Sequence, residues 1–321
     1  MHDFFERRLK MKKFLPYIAI IGAMLIWAAS GIAIKMALVN FTSLTLLVMR
    51  FSLAIFLLLV IGLICHRNSL LGLQKVKWKD LPLFLLAGFF QPCLYYLLET
   101  YTYDALQSPT IAEALLSTSP VLSPLFAMVL LKENVTRNNI IGIFVSTVGM
   151  LMLVLVGSEE FSIGNKWGIL TAFLSVVTAI LYSVVLKKIP VGYNSLTIVF
   201  YVQICALFLF YPLWIVREGI HMPFPIDMDL WTDSLLRSLA GVGYLGVGST
   251  VIAFILFCYS VRQIGVTQAN VFNNVRPIFT AVIMMLIYGE QLPFGKIVGI
   301  VLVIIGLFVC QKVSKNKKIV Q

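Results

Sequence analysis

Residues 107–152 read QSPTIAEALLSTSPVLSPLFAMVLLKENVTRNNIIGIFVSTVGMLM, and residues 264–309 read IGVTQANVFNNVRPIFTAVIMMLIYGEQLPFGKIVGIVLVIIGLFV. At an offset of 157 positions the identities between the two stretches include a proline, an acidic residue, two glycines and three further residues. Among the matched pairs are Pro120/Pro277, Glu133/Glu290, Gly142/Gly299, Gly149/Gly306, Thr110/Thr267, Ala112/Ala269 and Met128/Met285. Apolar residues alone match easily by chance in an apolar chain, whereas this set does not. The chain therefore carries an internal duplication, which in membrane proteins is typical of transporters with two related halves.

The composition indicates that most of this chain lies in a lipid bilayer and not in water. Hydrophobic residues make up 60% of it, charged residues 12%, and the mean hydropathy is +0.95, whereas a soluble protein carries about 25% charged residues. Long continuous apolar runs favour helices over alternating membrane strands. Stretches long enough to cross a hydrocarbon layer of about 30 Å lie at 15–37, 43–65, 80–102, 107–131, 138–156, 166–187, 194–216, 235–261, 265–288 and 294–313. We expect an all-α polytopic membrane protein with ten transmembrane helices.

The distribution of cationic residues predicts the orientation. With a cytoplasmic amino terminus, 18 of the 25 Lys and Arg residues fall in inner segments, which is the bias that membrane insertion favours. Both termini are therefore expected in the cytoplasm and the protein in the cytoplasmic (inner) membrane. The net charge of +11 reflects this topology and contact with anionic lipids, and without a nucleic-acid-reading module no nucleic-acid partner is expected.

An odd number of spans in each copy implies inverted repeats. Five spans per copy make the second copy enter the membrane from the opposite side, so the copies are related by a pseudo-two-fold axis in the membrane plane. The predicted organisation is a cytoplasmic tail, a first repeat, a second inverted repeat and a second cytoplasmic tail, at 1–14, 15–156, 166–313 and 314–321.

Several short motifs in chain order carry a family resemblance. They are Gly22 to Trp27 (GAMLIW), Met49-Arg50-Phe51, Ala105-Leu106, Pro120 with Glu133, and Pro277 with Gly289-Glu290. In these motifs the chain resembles the drug/metabolite transporter superfamily, specifically its ten-helix EamA-type exporters and permeases. The resemblance implies a basket of ten helices in two inverted five-helix repeats, a central solute cavity and alternating access. It does not name the solute, because the family transports many kinds of metabolite.

The fourth and ninth predicted spans carry polar stripes at repeat-related positions. In the fourth, Glu113, Ser117, Pro120 and Pro124 follow the spacing of one helix face, and their twins in the ninth are Asn270, Asn274, Pro277 and Ala281. Polar residues beside helix-breaking prolines in both halves point to a transporter's central site, with Pro120, Pro124 and Pro277 as hinge candidates. The alternative is that the amides and hydroxyls only bind helices together.

Ionisable residues inside the bilayer are costly, so each is expected to have a charged or polar partner or a functional role. Arg50 and Glu113 have similar predicted depths, so we expect them to pair, either as a lock between helices or with Glu113 setting solute preference or carrying a proton. Arg276 lies mid-span, three residues after Asn273, and suits a carboxylate-bearing solute unless Glu99 or Glu113 neutralises it. Lys35 either pairs with Glu99 or extends to water.

Aromatic residues complete the candidate site. Trp27 and Tyr95 lie within predicted spans and are candidates for the wall of the solute pathway, although aromatic residues near interfaces are more often anchors. The glycines at 241, 243, 246 and 248 are expected to permit close helix packing, with bending during the access cycle as the alternative.

Together these features predict a transporter, not an enzyme. We expect it to move small amphiphilic metabolites (amino-acid-like or aromatic solutes, or drugs) by alternating access, as an exporter or permease. The expected partners are a small-molecule solute and the lipid bilayer, with protons and a homodimer left open. The alternatives are an intramembrane enzyme and a non-transporting membrane scaffold. The three histidines lie outside the predicted spans and the five cysteines lack metal-ligand spacing, so no catalytic residue, cofactor or metal site is expected.

Overall fold

The described chain is helical. A computed structural model describes residues 2–66, 72–105, 115–116, 118–155, 166–219, 232–288 and 294–311, and no strand occurs among them. The α-helices are α1 (His2–Leu38), α2 (Ser43–Ile64), α3 (Leu81–Gly88), α4 (Tyr95–Ala105), α5 (Ser119–Leu131), α6 (Arg137–Leu155), α7 (Lys166–Lys188), α8 (Ser195–Glu218), α9 (Asp233–Gly243), α10 (Ala253–Ile264), α11 (Val266–Asn270), α12 (Arg276–Tyr288) and α13 (Phe294–Gln311). Irregular helical segments join α3 to α4 (Phe89–Leu94), α9 to α10 (Tyr244–Ile252) and α11 to α12 (Val271–Val275).

These helices confirm an all-α polytopic membrane protein. Six helical stretches within the described residues are long and apolar enough to cross a bilayer, and two of them, Leu81–Glu99 and Asp233–Ile264, run through the irregular segments. Two shorter apolar helices, Ser119–Leu131 and Ile297–Cys310, accompany them. The number of ten spans stays a prediction. The first helix begins at His2 and so runs through the residues expected to form a separate tail, because His2 to Lys13 are rich in helix-favouring Glu, Arg, Leu, Lys and Met.

The chain forms two compact units that do not follow the two sequence repeats. Unit 1 comprises Met1–Tyr96 and Lys188–Tyr259, and unit 2 comprises Leu97–Lys187 and Ser260–Gln321. Each unit therefore takes helices from both copies of the duplicated sequence. The division of the sequence at 15–156 and 166–313 stays an expectation about the repeats and is not a description of the compact units.

In unit 1, α2 packs against α8 and α1 packs against α9. Phe51 of α2 stacks on Phe210 of α8 with ring centroids 5.6 Å apart, and both side chains are fully buried. At the beginning of α2, hydroxyls of Thr42 and Thr45 donate to the carboxylate of Glu218 at the end of α8. This contact joins the expected outer ends of the two helices.

The other ends of these helices are joined by a polar clasp, formed by residues 72–80 and 190–197. The backbone N–H of Asn194 donates to the side-chain oxygen of Gln74 (2.7 Å), and the backbone N–H of Gln74 donates to the hydroxyl of Thr197 (3.0 Å). The phenol of Tyr193 donates to Asp80 (2.7 Å) and accepts from the amide of Lys77 (3.0 Å). The segment between the second and third spans is therefore fixed to the beginning of α8.

In unit 2, α6 and α13 pack through glycines at repeat-related positions. An added Cβ on Gly142 would lie 2.5 Å from the carbonyl oxygen of Gly306, and one on Gly149 would lie 2.6 Å from that of Gly299. Since Gly299 is the repeat twin of Gly142 and Gly306 that of Gly149, each contact is the image of the other. The order of contacts runs in opposite directions along the two helices, so these twin helices are antiparallel, as inverted repeats require.

The helices that contain the repeat prolines also correspond between the two copies. Ser119–Leu131 and Arg276–Tyr288 begin and end at positions 157 residues apart, and the repeat proline is the second residue of each. A proline there initiates a helix, because its missing N–H has no partner in the first turn in any case. In both copies a helix therefore begins one residue before the repeat proline.

Two interruptions were not predicted. Between α3 and α4, Gln91 has extended backbone angles (φ −151°, ψ 118°), next to Pro92, which cannot donate a helical hydrogen bond. Between α9 and α10, the glycine-rich segment Tyr244–Ile252 is a π-helix. Such bulges occur frequently at functional sites. Hydrophobic patterning alone does not reveal a change of hydrogen-bonding register.

Candidate functional site

Arg50 is the charged residue of unit 1 that lies deepest in a described span. It stands seven residues after the first residue of α2, which is about 10 Å along the helix axis. Its side chain is 3% exposed. A cation at such a position costs at least about 2.5–3.5 kcal/mol on insertion scales, so its surroundings decide what it does.

The guanidinium of Arg50 is held entirely by neutral groups. Its Nε donates to the hydroxyl of Thr250, and one Nη donates to the hydroxyls of Tyr96 (2.9 Å) and Ser249 (3.0 Å). The ring of Tyr96 also lies 4.6 Å from the guanidinium carbon, a cation–π distance. We call Arg50, Tyr96, Ser249 and Thr250 the Arg50 cluster. Among the described residues no acidic group contacts Arg50, and the expected pairing with Glu113 stays a prediction because Glu113 lies outside them.

The π-helix places two of the three hydroxyl partners of Arg50. Ser249 and Thr250 are consecutive residues within Tyr244–Ile252, and both are almost completely buried. The indole of Trp27 in α1 donates to the backbone carbonyl of Ser249 (3.1 Å), and its ring packs against Phe254 and Phe257 at 5.4 and 5.2 Å. Trp27 therefore lies next to the Arg50 cluster, where it supports the irregular segment.

Glycines at the end of α9 and within the π-helix let the backbone approach neighbouring helices. An added Cβ on Gly241 would lie 2.6 Å from the carbonyl oxygen of Ala33, and one on Gly246 would lie 2.8 Å from the side chain of Leu53. The prediction of close packing is confirmed at these two positions. Gly243, in contrast, has no heavy atom within 4 Å of the added Cβ, so it does not serve close packing.

In unit 2, the polar stripe of the ninth span lies where the helix tightens. Val271–Val275 is a 3-10 segment between α11 and α12, and such a segment turns about 120° per residue instead of about 100°. The single α-helical face expected from the spacing is therefore not kept. Asn273 donates to Ser119 of α5 (3.0 Å), and Asn274 donates to Ser146 of α6 (2.8 Å). Neighbouring amides thus bind two different helices.

Two amide atoms of this stripe lack hydrogen-bond partners in the described structure. Ser146 donates its own proton to the carbonyl of Ile143 (3.0 Å), so it accepts from the Nδ2 of Asn274. The Oδ1 of Asn274 is left as an unused acceptor, and the Nδ2 of Asn270 is an unused donor. Both side chains are at least 97% buried. We call Asn270, Asn273 and Asn274 the asparagine cluster.

Glu133, which follows the fourth predicted span, caps the beginning of the ninth span. Its carboxylate accepts from the backbone N–H of Val266 (3.2 Å) and from the hydroxyl of Thr267 (3.4 Å). A carboxylate at a helix amino terminus satisfies unpaired donors and complements the helix dipole. The end of α5 and the beginning of α11 therefore lie on the same side, as antiparallel twin spans require. Its own twin, Glu290, lies outside the described residues.

The remaining candidates are partly described. Tyr95 makes an edge-to-face contact with Tyr96 at 5.2 Å, and Arg276 begins α12 directly after the 3-10 segment. Glu99 lies half-buried in α4, but its pairing with Lys35 stays a prediction, since nothing is described for the Lys35 side chain. Pro120, Pro124 and Pro277 lie in α5 and α12, and their hinge role also stays a prediction. Glu113 and Ser117 lie outside the described residues.

Two residue groups were missed by the sequence reasoning. Tyr96 and the pair Ser249–Thr250 were not candidates for the site, although consecutive hydroxyls in a glycine-rich apolar span are a signal for one. Gln203 was also missed. This residue of α8 is fully buried, and neither side-chain polar atom has a hydrogen-bond partner within the described residues.

A recess of about 540 Å³ in unit 1 contains no residue of either cluster. It is lined by Met36, Val39, Asp233, Ser234 and Arg237, where the ends of α1 and α9 meet.

Comparisons with known proteins agree in one family. The model of the EamA-like transporter family matches the chain twice, at residues 14–155 and 166–310. An uncharacterized transporter of Archaeoglobus fulgidus is 24% identical over 88% of this chain and 94% of its own. The uncharacterized transporter YyaM of Bacillus subtilis is 22% identical over 96% of this chain and 97% of its own.

A more specifically named relative and a solved structure extend the comparison. A probable terminal-alkyne amino-acid exporter of Streptantibioticus cattleyicolor is 23% identical over 77% of this chain and 79% of its own. One crystal structure superposes with a TM-score of 0.74 over 93% of this chain and 99% of the other, at 17% identity. At that identity the likeness shows the fold alone.

Proposed function

Because this chain belongs to the EamA-like transporter family and is a multi-pass membrane transporter, we propose that it moves small amphiphilic metabolites, among them amino-acid-like solutes, by alternating access. In this proposal the protein is an exporter or permease of the cytoplasmic membrane, and both of its termini lie in the cytoplasm. Transporters are not enzymes, and no observation favours the intramembrane enzyme considered from the sequence.

The asparagine cluster is the observation that carries this proposal. A buried amide atom without a partner costs about 1–3 kcal/mol, and a membrane interior supplies no water to compensate it. An unused donor on Asn270 and an unused acceptor on Asn274, at a break in a repeat-related span, suit a solute that carries both kinds of group. The ammonium and carboxylate of an amino acid are such groups.

The relative named as an amino-acid exporter supports the same solute class. Arg276 lies two residues after Asn274 of the asparagine cluster, and its guanidinium adds a positive charge suited to an anionic or zwitterionic solute. In unit 1, Trp27 and Tyr95 stay proposed as wall residues of the solute pathway. We also propose that Pro120, Pro124 and Pro277 bend during the access cycle, and that Glu113 couples a proton to transport.

Solute exchange in vesicles tests the proposal. Purified protein in liposomes is loaded with an unlabelled amino acid, and the uptake of the labelled form is measured against protein-free liposomes, first for aromatic and branched amino acids. We expect exchange with the wild type, and at least about a tenfold loss with Asn270→Leu, because a charge-assisted hydrogen bond contributes about 1.5–3 kcal/mol.

Gln203→Leu is the matched control. Gln203 is likewise a buried amide without a partner, but it lies in the uninterrupted helix α8 between apolar neighbours. Its replacement should leave exchange unchanged. If Asn270→Leu lowers only the amount of folded protein, while exchange per folded molecule stays constant, the stripe serves packing and the scaffold alternative gains support. Equal exchange in vesicles with and without the wild-type protein would remove the amino-acid proposal.

A further inference from the structure

The Arg50 cluster has more hydrogen-bond donors than acceptors. Arg50 has five N–H groups, and three hydroxyl oxygens accept from its Nε and one of its Nη atoms. The other Nη makes no hydrogen bond among the described residues. Ser249 and Thr250 each accept from Arg50, and neither hydroxyl donates a hydrogen bond elsewhere in the described chain. Two N–H groups and two O–H groups therefore converge without acceptors.

The cluster also has an uncompensated charge. The buried guanidinium has only neutral partners in the described structure, so neither its charge nor its remaining donors are balanced. A ligand that only accepts hydrogen bonds and carries a negative charge satisfies both conditions. Among the groups of small metabolites, a carboxylate does this with two oxygens and four lone-pair directions.

The surroundings restrict the rest of the ligand. Phe51 and Tyr96 place aromatic rings at 5.7 and 4.6 Å from the guanidinium carbon, and Trp27 is bonded to the backbone of Ser249. Aromatic walls beside a charged group suit an amphiphilic ligand. We infer that the Arg50 cluster of unit 1 recognises the carboxylate of small carboxylates with an apolar or aromatic body. This inference rests on the proposed function, because its ligands belong to the solute class proposed there; the Arg50 cluster is a separate binding position within unit 1.

The π-helix provides a means of access. Arg50, Ser249 and Thr250 are closed off from solvent in this structure, so a ligand enters only when one of the elements around the cluster moves. π-Helical segments are rare and are frequent at functional sites, which makes this segment the candidate. Within Tyr244–Ile252 it carries both hydroxyls of the cluster, so a shift of this one segment opens the cluster.

Thermal unfolding of purified protein in nanodiscs tests the inference with two probes that differ in one group. Phenylacetate has a carboxylate, and phenylacetamide has a neutral amide on the same ring. We expect phenylacetate to raise the unfolding temperature of the wild type at lower concentrations than phenylacetamide. In Arg50→Gln the apparent Kd for phenylacetate should rise about tenfold or more, while that for phenylacetamide stays within about twofold.

Two further variants keep the test decisive. Thr250→Val preserves the charge of Arg50 and removes one hydrogen-bond donor, so it should raise the apparent Kd for phenylacetate several-fold. This variant replaces Arg50→Gln as the test if Arg50→Gln does not fold. Arg276→Gln is the comparison in unit 2. If only Arg276→Gln abolishes the preference for phenylacetate, or if the wild type shows no such preference, the inference is wrong. The proposed function is judged separately by exchange in vesicles, and it can fail or stand whichever arginine binds the carboxylate.

Discussion

The glycine contacts between α6 and α13 predict a strong effect from the smallest possible substitution. In Gly306→Ala the new Cβ would lie 2.4 Å from the backbone nitrogen and 2.6 Å from the Cβ of Ser146, and 2.6 Å from the carbonyl oxygen of Gly142. Two of these three are backbone atoms, which cannot rotate away. Ordinary contact begins near 3.4 Å, so the helices must separate locally by roughly 1 Å.

The expected cost follows from two opposing terms. Overpacking a tight contact costs about 1–3 kcal/mol, and alanine in place of glycine recovers up to about 1 kcal/mol of helix propensity. Gly306→Ala should therefore destabilise the protein by about 1–2 kcal/mol. It should also lower solute exchange per folded molecule, because Ser146 accepts the hydrogen bond of Asn274 and would be displaced.

Gly243→Ala is the matched control, since nothing lies within 4 Å of its added Cβ. It should be neutral or more stable by up to about 1 kcal/mol. The measurement is the unfolding temperature in nanodiscs, together with the folded fraction after solubilisation. Because Gly142→Ala widens the same interface, the double variant Gly142→Ala/Gly306→Ala should cost less than the sum of the single variants. If Gly306→Ala unfolds at the same temperature as Gly243→Ala, the proposed contact between these helices is wrong.

Three other predictions concern individual polar residues. Gln203→Leu should be neutral or stabilising by about 1–2 kcal/mol, because it removes a buried amide without partners; a fall in unfolding temperature would show that the amide has a partner. Glu133→Ala should lower stability by about 1–2 kcal/mol and Glu133→Gln by less, since glutamine keeps an acceptor for Val266; equal stability of both variants and the wild type would exclude a capping role. Asn273→Ala and Ser119→Ala should show a coupling of about 0.5–1.5 kcal/mol in a double-mutant cycle, as expected for a hydrogen bond between helices; additive effects would contradict it.

The long helices could be predicted closely because their signal is local. Expected spans at 43–65, 166–187 and 194–216 correspond to Ser43–Ile64, Lys166–Lys188 and Ser195–Glu218. Each is a continuous apolar run that ends at polar or charged residues. The repeat offset also matches two helices, since the two repeat prolines occupy equivalent positions in α5 and α12, although the sequence predicted hinges there and not helix beginnings. These features depend on residue type and spacing alone.

The partners of the site residues could not be predicted in the same way. The spacing of Asn270, Asn273 and Asn274 was interpreted with α-helical geometry, whereas the 3-10 segment directs neighbouring amides to different helices. For Arg50 the sequence suggested an acid of opposite charge, because charges are the evident partners of charges. In the described structure it is surrounded by hydroxyls, two of which belong to a distant π-helix, and a sequence does not display that change of register. The pairing with Glu113, which lies outside the described residues, stays a prediction.

The division into two compact units has a consequence for how the chain folds when it is made as two fragments. Cutting the polypeptide anywhere from 157 to 165 separates the two copies of the duplicated sequence, yet it leaves both units incomplete in each fragment. A fragment holding one copy lacks the helices that the other copy contributes to each unit. We therefore expect two such fragments made in the same cell to fold and become active only when they associate, and neither fragment to fold alone.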